Sequence, residues 1–378
     1  MKKGLYYCRI HRKDPINLGA VKKSHGLMSG FRQLGYEMDI IWYGSEGIFL
    51  NEQVIFRFPL STDSSACGNI LFHHLMFDAV IAHQVDFRQY GFLWLRYPLS
   101  HPGFILLLKK AKSENPALKI ILEVPTYPYH LELSTPLRKI QYWLDRRCSP
   151  FLKRYVDWTV HYGKFTSLFG IPSISIRNGI EIDSVPVSKS IAKAGVIRLI
   201  AAGNWNLWHG LDRLIDGLEN YCSNPFPFPD VQLTVVGGGR EINAYKRSVE
   251  AKGLADKVHF LPPTTGEALN VLFDDADVGI GSLGLFRLEL TSAAPLKHRE
   301  YCARGIPFVL STLDDAFPPG CEWVCYFPER EEPISIEELV AFFNQLNLTE
   351  IRLDMRAHAL SNFPWSVILK KVMKIVVI

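Results

Sequence analysis

No apolar stretch in this sequence runs uninterrupted for the ~20 residues that a membrane-spanning helix needs,. There is no segment of biased composition and no evident internal repeat. The charges nearly cancel, 42 Lys and Arg against 38 Asp and Glu, and the net +4 is too small an excess to argue for a nucleic-acid partner,. Cysteine is sparse, seven in 378 residues. The number is odd and the spacing scattered, and Cys321 and Cys325 lack neighbours with zinc-site spacing, so neither a disulfide framework nor a zinc set is expected. Reduced, buried thiols are the expected state, which implies the cytoplasm. After the basic Lys2-Lys3 the apolar run lasts only from Gly4 to Cys8 before Arg9 breaks it, too short for a signal peptide,. What is present, 48% hydrophobic and 21% charged residues over this length, describes a folded, soluble chain of about two domains,.

The pattern alternates strand and helix. Leu5–Ile10 reads as a strand, a polar loop from His11 leads to Gly19, and Val21, Leu27, Met28, Phe31 and Leu34 keep helical spacing up to Gly35,. Met38–Trp42, Phe77–His83 and Lys119–Leu122 read as further strands, with a helix over Phe104–Lys112. This is the opening of a parallel, doubly wound sheet, which binds ligands at the carboxyl ends of its strands. Lys22 and Lys23 begin the first helix, where cations oppose the dipole unless an anion is near; otherwise they are a solvated surface pair. Glu123 ends a strand and runs into the rigid Val124-Pro125-Thr126-Tyr127-Pro128 loop, a site position or a buried pair. Residues 136–155 form a basic, aromatic helix whose aromatics either face the core or suit an anionic bilayer.

The most informative stretch is Pro295 to Val309. Asp277-Val278-Gly279-Ile280-Gly281 before it reads as a buried strand,. Pro295 suits the first turn of a helix, Gly305 its left-handed end, and Pro307 blocks continuation. Lys297 in the first turn opposes the helix dipole unless an anion docks there, where free N–H groups also point. Glu300, three residues on, shares its face. The two either hold a phosphate and a neighbouring hydroxyl, or Glu300 merely pairs with Lys297 or with Arg304. A second strand–loop–helix is Val196–Ala202, the loop Gly203-Asn204-Trp205-Asn206-Leu207-Trp208-His209-Gly210, and Leu211–Tyr221, and a third glycine turn is Gly237-Gly238-Gly239. Asp274-Asp275-Ala276-Asp277 is expected to cap or lie on the surface, not to bind metal.

The segment PLKHREYCARGIPFV resembles the nucleotide-sugar site of family 4 glycosyltransferases, and more narrowly bacterial enzymes that build capsule, O-antigen or other surface polysaccharides. GNWNLWHGLDRLI, EVPTYPY and NLGAVKKSHG are similar to the same subgroup. The resemblance implies the α/β GT-B fold: two doubly wound Rossmann-like domains facing across a cleft, residues 1–183 with a returning helix at 362–378, and residues 184–361. It implies a retaining, metal-independent hexosyltransferase that needs no cofactor. The expected partners are a nucleotide-sugar donor, with a UDP-sugar put ahead of the others, and a saccharide or lipid-linked saccharide acceptor, at the cytoplasmic face of a membrane. Carried over by position, Gly19, Gly203, Asn204, His209, Gly238, Arg287, Lys297 and Glu300 bind the donor, with Glu300 on the ribose hydroxyls. Glu123, His209 and Lys297 are the catalytic candidates, and Lys22, Lys23 and Thr126 face the acceptor. The chain departs from the family pattern at three places. Ser292 replaces the glutamate eight positions before Glu300, and Asn204 and His209 replace an arginine and a lysine, which shifts neutralisation of the diphosphate towards Lys297, Arg287 or helix ends. A non-catalytic binding protein and a sugar-nucleotide epimerase of the same fold are the alternatives.

Overall fold

A computed structural model describes residues 2–13, 18–58, 67–133, 135–224 and 229–376, without the side chains of 18, 67–75 and 132. The expected first loop therefore lies partly outside the described residues. The chain forms two units. Of the described residues, one comprises 2–13, Ala20–Ile176 and the helix that starts at Trp365; the other comprises Arg177–Pro364 together with Leu18 and Gly19.

In the first unit the described elements are β1 (Lys3–His11), α1 (Leu18–Gln33), β2 (Glu37–Gly44), β3 (Gly47–Leu50), β4 (Gln53–Arg57), α2 (Cys67–Gln84), β5 (Phe92–Arg96), α3 (Pro102–Glu114), β6 (Lys119–Val124), α4 (Pro136–Cys148), β7 (Trp158–His161), β8 (Ser167–Leu168) and β9 (Ile171–Ser175). The strands lie in the order β4-β3-β2-β1-β5-β6-β7-β9-β8. From β2 to β9 neighbours are parallel, while β3, β4 and β8 add antiparallel edges.

Two expectations fail here. Phe77–His83 is helix, not strand: Phe77, Val80 and Ile81 are buried at helical spacing, and a short apolar run does not reveal its own period,. The strand of this region is Phe92–Arg96. It pairs parallel with β1 and β6, so both its faces are buried,. The long basic helix also stops early, at Cys148, and continues as a 3-10 turn over Ser149–Arg154.

The second unit contains β10 (Val196–Asn204), α5 (Leu211–Cys222), β11 (Asp230–Gly238), α6 (Ile242–Ala251), β12 (Val258–Leu261), α7 (Gly266–Asp274), β13 (Val278–Ile280), α8 (Leu296–Arg304), β14 (Phe308–Leu310), β15 (Val324–Tyr326), α9 (Ile336–Asn344) and α10 (Leu348–Asn362). Its sheet is parallel throughout, in the order β12-β11-β10-β13-β14-β15. Asp277 is buried between them and takes three bonds from Arg198, which also pairs with Asp275; those carboxylates are consumed by an arginine.

The last helix, α11 (Trp365–Val376), carries Trp365, Ile368, Leu369, Val372, Met373 and Val376 on one face,. They complete the core of the first unit beside Leu27, Met28 and Phe31 of α1. The fit is tight at Gly30, where an added Cβ would stand 2.5 Å from Trp365 Cβ and 2.8 Å from its carbonyl carbon. Gly30→Ala is expected to cost about 1–3 kcal/mol through overpacking, read as a lower urea midpoint of the first unit's transition.

Candidate functional site

In the second unit, β10 leads into α5 on the face that buries Leu199 and Ala201, whereas β13 leads into α8 on the face that buries Ile200. Sheets of this kind bind ligands where neighbouring connections part to opposite faces. The carboxyl ends of β10 and β13 are that place, and most of the donor candidates gather there.

Helix α8 reaches this point because small residues let it. An added Cβ on Gly279 would stand 2.7 Å from the Tyr301 ring, and one on Gly281 2.8 Å from His298 Nε2. Tyr301 is fully buried and donates its hydroxyl to Ile280 O at 3.0 Å. Pro295 is the residue before the first helical turn, and Gly305 takes the left-handed conformation at the other end, φ 69°,. The start of α8 is pinned by Asp314, which accepts from both terminal nitrogens of Arg299 and from His298 Nδ1 at 2.9 Å. His298 Nε2 in turn accepts from Ser282 N at 3.2 Å, which fixes the tautomer,. Burial pulls the His298 ring down to about 4, so it is neutral, while the Arg299 charge and the hydrogen bonds from His298 and Arg299 hold Asp314 well below the usual carboxylate range despite its burial.

Lys297 stands one residue before this anchor. Its Nζ donates to Gly281 O at 2.8 Å and lies 5.1 Å from the centre of the buried Trp205 ring. No carboxylate among the described residues pairs with it, and burial pushes it down to about 7. The Nδ1 of His209, on the loop after β10, lies 3.1 Å from Asn206 N and 3.2 Å from Asn206 O. Burial and the nearby Lys297 charge lower it to about 3, so the imidazole is neutral and not a second cation. Asn204 ends β10 beside Gly238, and Trp205 N donates to Gly238 O at 2.6 Å. Gly203 is exposed at the same edge.

Glu300 pairs with Arg304 and not with Lys297. Its Oε1 accepts from Arg304 Nη2 at 2.9 Å, and Arg304 is further held by Asn270 Oδ1 and the Phe273 ring. Among the described residues no donor reaches Glu300 Oε2. Arg287 is fully engaged: its two terminal nitrogens grip Asp212 at 3.0 and 2.8 Å, and it also binds Glu331 and Leu207 O. Ser292 lies between the 3-10 turn at Leu285–Leu288 and α8, part-buried.

The first unit separates the lysine pair that the sequence sets side by side. Lys22 is exposed, while Lys23 is buried and binds the fully buried Glu123 at 2.6 Å. The surface-pair reading therefore fails for Lys23, because α1 turns it onto the sheet. Glu123 also accepts from Tyr162 OH at 2.8 Å and Trp94 Nε1 at 2.9 Å. Burial alone would raise it, but Lys23 and Arg96 outweigh that and hold it at about 2; burial lowers Lys23 to about 8. Thr126 is part-buried in the loop after β6, and Gly19 lies in the first turn of α1 and not in the loop before it. A feature absent from the sequence reading is Asp145, buried in α4, which accepts from Tyr129 OH at 2.5 Å, from Ser100 N at 2.6 Å and from Tyr97 OH. It fixes two rings of an aromatic cluster with Tyr127 and Phe169. Only the excess of tyrosine around the prolines of this loop hinted at it.

No protein-family profile matches the chain, and no curated protein does. Solved structures do. A glycosyltransferase from Rickettsia africae shares 12% identity over 99% of this chain and 97% of its own, with a TM-score of 0.65. A sucrose-phosphate synthase from Thermosynechococcus elongatus shares 13% over 99% and 98%, TM-score 0.68. A lipopolysaccharide outer core galactosyltransferase shares 11% over 99% and 99%, TM-score 0.55. The fold is GT-B, two parallel-sheet Rossmann-like domains.

Lys297 gives the unliganded protein a distinctive pH response. Its folded value near 7 lies below the ~10.4 of a free lysine, so the unfolded chain binds more protons between those values and stability rises with pH across that window,. Below pH 7 its contribution is flat. Lys23 adds a rise of the same sign only above about 8. Lys297→Met should remove the early part of the rise, seen in urea midpoints at closely spaced pH values.

Proposed function

We propose that the chain is a glycosyltransferase that moves a sugar from a nucleotide-sugar donor, bound by the second unit, to a saccharide acceptor presented by the first. One observation carries this reading: Lys297 is a part-buried lysine with no carboxylate partner among the described residues, held at the switch point of a parallel sheet and at the start of a helix. A diphosphate supplies the missing anion, and the α8 N–H groups add to it. Glu300, one turn further along α8, has a carboxylate oxygen free for ribose hydroxyls.

The chemistry follows from the charges. As the glycosidic bond to the leaving diphosphate lengthens, negative charge builds on its oxygens, and Lys297 with a hydrogen bond from the His209 ring stabilises it. His209, being neutral, contributes a hydrogen bond and no full charge. The transfer is read as retaining and as needing no metal; Glu123 is left out of proton transfer because four partners hold it ionised. The resemblance to surface-polysaccharide enzymes and the sugar-transferring structural neighbours support this class, with a UDP-sugar as the first donor to try. Arg287 is no longer free to assist, and with Ser292 and Asn204 that favours a second reading, a binding protein without turnover.

Release of nucleoside diphosphate that requires an added acceptor supports transfer. Binding without release across uridine, guanosine, adenosine and thymidine sugar nucleotides supports the second reading, and a changed sugar without release indicates an epimerase. Glu300→Ala should weaken nucleotide binding by about 1–3 kcal/mol, the loss of charge-assisted hydrogen bonds; unchanged affinity for UDP and its analogues removes Glu300 from the ribose.

The acceptor is further proposed to be lipid-linked. Residues 136–155 expose Ile140 (63%), Trp143 (57%) and Phe151 (43%). Arg147 lies 5.0 Å from the Trp143 ring and Arg154 5.1 Å from Phe151. The one acid of the segment, Asp145, is buried, so the surface is basic and apolar, as an anionic bilayer requires,. Among the described residues no helix is long and apolar enough to cross a membrane. Replacing Arg146 and Arg147 by Glu should lower sedimentation with anionic vesicles several-fold and leave binding to neutral vesicles as it is.

A further inference from the structure

The first unit has a switch point of its own. β1 leads to α1 on the face that buries Tyr6, Cys8 and Trp94, and β5 leads to α3 on the face that buries Tyr7, Leu93 and Leu95. The two strands are parallel neighbours, with Tyr7 beside Leu95. Arg9 and Arg96 therefore leave adjacent strands at the same carboxyl end, from opposite faces, where a doubly wound sheet takes its ligand.

Both arginines are incompletely satisfied. Arg9 donates from Nη2 to Pro98 O, but its Nη1 is buried without an acceptor. Arg96 Nη1 lies 3.7 Å from Glu123 Oε1, beyond hydrogen-bond reach, and is also buried without an acceptor. Glu123 is shared by Lys23, Tyr162, Trp94 and, as an ion pair at 3.7 Å, Arg96; Asp78 accepts from Tyr7 OH at 2.7 Å through Oδ1, while its Oδ2 lies 2.9 Å from His101 Nε2 without forming a hydrogen bond. His101 precedes the first turn of α3, does not cap it, and has its side chain only 8% exposed with neither ring nitrogen hydrogen-bonded. Three cations, Lys23, Arg9 and Arg96, meet two carboxylates, Glu123 and Asp78. A buried cationic donor with no acceptor is costly, and an anion entering from the strand ends would remove that cost at both arginines.

We propose that this switch point is an anion subsite that takes a phosphoryl group carried by the acceptor, with Arg9 and Arg96 as its guanidinium donors. The proposal rests on the reading that the first unit presents the acceptor, and it gives that acceptor a chemical class. The planar guanidinium fork matches phosphoryl oxygens, and the two forks approach from either side of the sheet. Lys23 is not a third donor, because Glu123 already holds it. The phosphoryl group is that of a lipid-phosphate carrier or of a phosphorylated sugar.

The test uses the whole chain with UDP present in excess. Phenylglyoxal modification of Arg9 and Arg96 is followed by peptide mass spectrometry, with inorganic phosphate, a short-chain isoprenyl phosphate, a sugar 6-phosphate or glucuronate as protector. Protection of both arginines by the phosphoryl compounds is the expected result, and the better of the two organic phosphates names the source. The double variant Arg9→Gln/Arg96→Gln should bind phosphate at least about tenfold more weakly while its UDP-induced thermal shift is retained. Absence of protection by every phosphoryl compound, or protection by glucuronate alone, overturns the proposal. Protection is read on the unaltered protein, so it decides even if the variant fails to fold. Failure of UDP to bind would count against the donor site and not against this one, because the two are read separately.

Discussion

A carboxylate sealed from water sets the geometry on which the second unit depends. Asp314 draws Arg299 and His298 onto itself, and through them the first turn of α8 is fixed against β13 and the loop that follows it. Breaking such a buried pair on one side costs several kcal/mol, so the helix start has little freedom. Lys297 is the neighbour of His298 in sequence and inherits that rigidity. Its ammonium is thereby kept between a carbonyl oxygen and an indole face, where water solvates it poorly and no acid neutralises it.

The two units handle buried charge differently. In the second, four arginines are spent on carboxylates of the same unit: Arg198 on Asp277, Arg287 on Asp212, Arg299 on Asp314 and Arg304 on Glu300. Lys297, at the strand ends, has no carboxylate partner among the described residues. In the first, Lys23 is spent on Glu123, and two arginines keep unfilled donors. Each unit thus has incompletely partnered cationic donors at the point where its strand connections diverge, which is where a fold of this kind provides room for a ligand,.

Much of this was legible in the sequence. The strand–loop–helix repeats, the helix ended by Gly305 and the amphipathic helix at Trp365 follow from apolar spacing and from glycine and proline punctuation, while the return of that last helix to the first unit was implied by the resemblance,. So did the alternative partner of Glu300, since Arg304 lies one helical turn away. Three things were not legible. The run Phe77–His83 is too short to show its period, and its helix is recognisable only once Asp78 is seen to meet Tyr7 across the core. Lys22 and Lys23 are adjacent in sequence, but a helix sends neighbours about a hundred degrees apart, so one is solvated and the other buried,. Arg287 was counted as a free cation because its partners, Asp212 and Glu331, are distant in sequence, and only the folded chain brings them to it.

The return of α11 has a consequence for the order in which the protein is made. A ribosome delivers the first unit before the second, yet the residues that close its core, Trp365 to Val376, emerge only after the whole of Arg177–Pro364. Vectorial folding, in which each domain matures as it appears, is therefore open to the second unit and closed to the first. Until Trp365 to Val376 have been made, the groove on α1 that awaits them is a bare apolar surface, a place for a chaperone to hold.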